Sequence, residues 1–126
     1  MVLPNATPKV LPLVDLTVLS QLERQLNDPR PARAFARDYI TGFEDRYLRL
    51  SSSVGNRDLP AAIDAALSLR NSSTMVGAAR LSAMAASFET AVTSADLDTA
   101  RRALPAIERC GMDTIDELES RYLASA

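Results

Sequence analysis

Histidine and tryptophan are both missing from this 126-residue chain, and Cys110 is its one cysteine. A lone thiol closes no disulfide within the chain, and without imidazole there are too few soft ligands for a tight zinc or copper site. No apolar run approaches the roughly 18 residues of a membrane-spanning helix. The opening M-V-L-P-N-A-T-P-K-V-L-P-L has no basic start followed by an unbroken apolar stretch, so it does not read as a secretory signal. Acidic and basic residues are interspersed, and the net charge is −2. That balance gives no basic face for nucleic acid and no polybasic run for an anionic membrane. No phosphate-cradling glycine loop, Ser–His pairing or metal-ligand spacing is present, so enzymatic chemistry is not expected. The expectation is a cytoplasmic, monomeric protein that uses no cofactor and no metal.

What is present is the composition of a folded domain, with 47% apolar and 24% charged residues. A single domain of this size buries roughly 60–70% of the surface of its unfolded chain. Pro4, Pro8 and Pro12 remove backbone donors, so residues 1–12 read as an extended arm and residues 13–126 as the domain. Sustained two-residue alternation is found nowhere, whereas three- and four-residue spacing of apolar side chains recurs throughout.

That spacing predicts five helices. The first covers residues 14–26, with Leu16, Leu19, Leu22 and Leu26 on one face, and Asp28-Pro29 ends it. The second covers residues 31–50 and carries Phe35, Tyr39, Phe43 and Tyr47 four apart, a pattern that reads as core. The S-S-S-V-G-N run at 51–56 reads as the next break. A third helix begins behind Asp58 as its cap, has Pro60 in its first turn, and reaches residue 71. A polar corner at 72–74 leads to a fourth helix over 75–93, and a fifth spans 96–124 through Pro105. The fifth directs Leu97, Ala100, Leu104, Ile107, Gly111, Ile115, Leu118 and Tyr122 inward, close to a 3.5-residue repeat. Long amphipathic helices joined by short corners predict an all-α fold: an antiparallel up-and-down four-helix bundle with the first helix across one end.

Within this pattern the segment L-S-L-R-N-S-S-T-M-V-G-A, from Leu67 to Ala78, resembles the signature H-x-L-K-G-S-S-x-x-x-G-A of histidine phosphotransfer (Hpt) domains. The likeness extends over about residues 13–124, through F-E-D-R-Y-L-R-L, N-R-D-L-P-A-A-I-D-A-A-L and A-R-L-S-A-M-A-A-S-F-E. Its specific part is the S-S-x-x-x-G-A spacing, which here contributes Ser72, Ser73, Gly77 and Ala78 as scaffold residues. Leu67 stands where the family has its phosphorylated histidine, and Asn71 where it has a glycine that a partner approaches closely. A phosphoryl carrier needs an imidazole nitrogen, and leucine offers methyl groups only. Ser68 lacks an activating base, and Asp64 lacks the metal and carboxylate cluster an acyl phosphate would need.

The resemblance therefore implies a phosphorelay module that accepts no phosphate and docks the receiver domain of a response regulator. Its implied partner surface is Ile63, Asp64, Leu67, Arg70, Asn71, Thr74 and Arg80, with Arg70 as a possible anion-binding group. Read without the family, Leu67 extends an apolar edge with Ile63, Ser72 and Ser73 are turn residues, and Cys110 is a small buried hydrophobe. On that reading the chain is a structural or adaptor bundle unrelated to phosphorelay.

Overall fold

Three aspartates start helices in the way their short side chains favour. In the computed structural model, which describes residues 11–124, Asp15, Asp58 and Asp96 take non-helical backbone geometry immediately before a helix. Their carboxylates accept the backbone N–H of Thr17, Ala61 and Thr99 at 3.0, 3.1 and 3.1 Å, satisfying donors that a helix start leaves open. The helices are α1 (Leu16–Leu26), α2 (Arg30–Gly55), α3 (Leu59–Val76), α4 (Ala79–Thr93) and α5 (Leu97–Glu117). A π-helical segment, Leu118–Leu123, prolongs α5. The described residues contain no strand. Of the arm expected over residues 1–12, only Leu11 and Pro12 fall within the described part.

Each corner turns on one residue in the left-handed region: Asn27 (φ 53°), Arg57 (φ 55°), Gly77 (φ 82°) and Ala95 (φ 59°). One such residue stops the helical hydrogen-bond ladder and redirects the chain. Across these corners α2 packs on α3, α3 on α4 and α4 on α5, while α5 also packs on α2; α1 rests on α2 and α3. The core is rich in small side chains, with Ala32, Ala36, Ala62, Ala66, Ala85 and Ala100 all fully buried beside Leu19, Leu50, Leu69, Leu81, Phe88 and Ile107. Alanine at facing positions lets helix axes approach closely, so few large residues fill the space.

Two expected breaks are absent. Residues 51–55 continue α2, because Ser53 is buried and its hydroxyl donates to the Leu50 carbonyl at 3.0 Å while Val54 joins the core. Residues 72–74 likewise continue α3. The Ser72 hydroxyl donates to the Ser68 carbonyl at 2.8 Å and the Thr74 hydroxyl to the Arg70 carbonyl at 2.9 Å. Hydroxyls that bond back four residues are compatible with a helix, and burial of Ser73 and Val76 decides the matter. Consequently α4 begins at Ala79, and Gly77-Ala78 forms the corner. The aromatic stripe of α2 is also only half core. Steps of four advance roughly 40° around a helix, so Tyr39 and Phe43 are buried while Phe35 and Tyr47 drift to the flanks.

Candidate functional site

The buried residues of α3 are Ala62, Ala65, Ala66, Leu69, Ser73 and Val76, and they define its inward direction. At roughly 100° per residue, Leu67 and Asn71 fall on the opposite side. Asn71 is exposed and Leu67 is partly covered, yet Leu67 is not among the side chains packed against the core, whereas its neighbour Ile63 is. An outward apolar side chain thus stands in the middle of α3.

Toward α4 this face is held by two polar links. Arg70 Nη1 donates to Glu89 Oε1 at 2.7 Å, an ion pair joining α3 to α4. Thr74 Oγ1 and Ser82 Oγ share a hydrogen bond of 2.6 Å. Both links leave the partners at the surface, so Ile63, Leu67, Arg70, Asn71 and Thr74 form one continuous strip beside α4. Asp64 belongs to the other flank, where it lines a polar cleft with Arg46 and Arg49 of α2.

Arg80 sits apart from the strip. Its Nε and Nη2 donate to the Leu11 carbonyl at 3.2 and 2.9 Å, and its backbone N–H donates to the Pro12 carbonyl at 3.2 Å. The guanidinium therefore fastens the segment entering α1 onto the start of α4. Gly77 completes that junction, since Asp15 N–H donates to its carbonyl at 2.7 Å and a Cβ at residue 77 would stand 2.3 Å from the Asp15 carbonyl oxygen. Both its backbone conformation and this close approach require glycine. Ser73 is fully buried, and its hydroxyl shares a 2.7 Å hydrogen bond with Tyr39 of α2. Ala78 is fully buried at the turn.

Other features went unnoticed in the sequence. Glu89 ends the segment A-R-L-S-A-M-A-A-S-F-E, but nothing local marks it as the partner of Arg70. An apolar groove of about 440 Å³ lies between α1, α2 and α3, lined by Val18, Leu22, Phe35 and Met75, and Met75 is 58% exposed. The helical spacing of Val18 and Leu22 was a usable signal; the position of Met75 opposite them was not. Burial pushes the Cys110 thiol up, against an opposing hydrogen bond from Thr114 and the charge of Arg80, so it behaves as a neutral packed side chain. Among the described residues, no three Cys, Asp or Glu side chains gather where a metal ion could be held, and no helix is long and apolar enough to cross a membrane. No family model, curated protein or solved structure matches this chain.

Proposed function

We propose that this chain is a non-catalytic Hpt-like module of a phosphorelay system, which docks the receiver domain of a response regulator and accepts no phosphate. On this reading α2 to α5 make an antiparallel up-and-down four-helix bundle of Hpt-like topology, with α1 across one end. The mutual packing of α2 through α5 and the one-residue corners support that arrangement. The observation that carries the functional reading is Leu67: an apolar, outward-facing side chain at the place the resemblance reserves for the phosphorylated imidazole. Around it, Ile63, Arg70, Asn71 and Thr74 offer an apolar centre with polar edges, the make-up of a protein-docking surface. Arg70 is already paired with Glu89, so it acts as a polar margin of that surface. Replacing a charged or polar group by leucine lengthens the life of such an encounter, because desolvation of the centre resists dissociation. Asp64, on the other flank of α3, and Arg80, engaged with the Leu11 carbonyl, are expected to contribute little.

The test is titration of the purified protein with receiver domains from the same cell, in parallel with Leu67→Asp. Binding by the unaltered chain and its loss in the variant support the reading. Absence of binding to every receiver, or label on this chain after incubation with a phosphorylated receiver, would count decisively against it.

A second reading, an adaptor bundle unrelated to phosphorelay, is favoured by the groove around Val18, Leu22, Phe35 and Met75. In that case Met75→Asp abolishes partner binding and Leu67→Asp leaves it unchanged.

A further inference from the structure

The inward stripe of α2 passes through Ala36, Tyr39, Phe43, Arg46, Leu50 and Ser53, in steps of three and four. All are buried except the arginine, which occupies a place where an apolar side chain would pack. Its Nη1 is nevertheless buried and has no hydrogen-bond partner. One turn earlier the helix carries Gly42, where a Cβ would stand 2.6 Å from that same Nη1. Each choice is unfavourable alone. Glycine inside a helix loosens it, and a guanidinium turned inward gives up hydration. Together they form a recess that holds the guanidinium folded back along α2. Arg46 also walls a cleft of about 320 Å³ between the end of α2 and the start of α3, with Arg49, Ser52, Asn56, Asp64 and Ser68.

We propose that this cleft binds a small molecule through its carboxylate, received by the Arg46 guanidinium. A planar fork of N–H donors matches the two oxygens of a carboxylate; Nη1 is packed beside Gly42, so the ligand is received by the part of the side chain that lines the cleft. The competing cation, Arg49, pairs with Asp45 at 3.0 Å on the open surface. Ser52, Ser68 and Asn56 can hydrogen-bond the rest of the ligand. The carboxylates of Asp64 and of Asp58, the latter engaged with the Ala61 N–H, line the same cleft; they disfavour a dianion and suit a ligand that also carries a donor, as a free amino acid does. The volume is at the low end for ligand sites, which restricts the ligand to a small one. This site lies on the α2 flank of α3 and is independent of the strip beside α4.

Calorimetric titration of the full chain with acetate, glycine, glutamate and inorganic phosphate, at constant ionic strength, tests the proposal. Saturable binding of at least one carboxylate is expected. Loss of a charge-assisted pair should weaken it about tenfold or more in Arg46→Met. Gly42→Ala should do the same while keeping the charge, because its methyl displaces the guanidinium, and it decides the matter if Arg46→Met does not fold. Arg30→Met, at the opposite end of α2 and outside the cleft, should leave the affinity within about twofold, as its pair with Asp28 is at the surface. No saturable carboxylate binding, binding that survives a folded Arg46→Met or Gly42→Ala, or tighter binding of phosphate than of every carboxylate would each overturn the proposal.

Discussion

Gly111 of α5 lies against the ring of Phe43 of α2, so close that a Cβ at residue 111 would stand 1.9 Å from Phe43 Cζ. No rotamer adjustment of a few tenths of an ångström relieves that overlap, and two neighbouring ring carbons lie within 2.6 Å as well. Gly111→Ala should therefore destabilise the fold by about 3 kcal/mol, the upper range for overpacking a core. Combining it with Phe43→Leu should recover a large part of the loss, because the two positions share one space. Denaturant titration of the single and double variants measures this coupling; strictly additive effects would argue against the contact.

Tyr39 and Ser73 provide a second pairing, with a pH signature. Burial pushes the Tyr39 phenol up to about 12, opposed by its hydrogen bond with Ser73 and by the charge of Arg46. The folded chain thus holds this proton more tightly than the unfolded one, whose phenol has the ordinary value of 10.0. Its contribution to stability is complete below pH 10 and drains away as pH rises from there toward 12. Tyr39→Phe should flatten stability in that window, leaving the slope due to Tyr122, which burial and the hydrogen bond to Glu23 also raise to about 12, and to Tyr47, which burial and the charge of Glu108 push up. At neutral pH the variant should lose about 1–2 kcal/mol, since the Ser73 hydroxyl is left buried without this partner. Unfolding monitored from neutral to strongly alkaline pH distinguishes these effects.

Leu67 and Leu69 are two residues apart on α3 and should respond in opposite ways. Leu69 is fully buried, and Leu69→Ala should cost about 2–5 kcal/mol, through lost burial and the cavity left behind. Leu67→Ala should cost less than about 1 kcal/mol, because only partial cover is lost from a side chain outside the core. Thermal unfolding of both variants is sufficient. A large loss in Leu67→Ala would mean that its side chain is structural and would remove it as a docking residue.

Ala95 offers a gain. It carries a side chain at φ 59°, in the corner between α4 and α5. The left-handed region costs an L-residue roughly 1–2 kcal/mol, of which glycine's greater freedom in the unfolded chain offsets part. Ala95→Gly should then stabilise the protein by roughly 0.5–1 kcal/mol, seen as a raised denaturation midpoint with an unchanged slope. An unchanged or lowered midpoint would show that this corner holds no strain.

The amphipathic helices were legible because three- and four-residue spacing is a property of the chain itself. Asp58 was recognisable as a cap for the same local reason. The serine runs misled, since hydroxyls that favour turns in isolation are also content inside a helix once they bond back to its carbonyls. Ser53 and Ser73 went that way because neighbouring helices cover them. Among the expected partner residues, Ile63, Leu67, Arg70, Asn71 and Thr74 share a strip simply by their order on one helix. Arg80 could not be placed by such counting, because its target is the Leu11 carbonyl on a different segment.

Composition and spacing by themselves determined an all-helical chain, the outward side of α3, and the lack of an imidazole to carry phosphate. Only the tertiary structure decided that Arg70 meets Glu89, that Tyr39 meets Ser73, that Gly111 must be bare beneath Phe43, and that Arg46 lies in a recess beside Gly42. The physical reason is one of range. Helical periodicity arises from hydrogen bonds four residues apart, whereas most of these pairings join separate helices. Even Gly42 and Arg46, one turn apart, acquire their meaning only in the folded chain, where Arg46 Nη1 is buried.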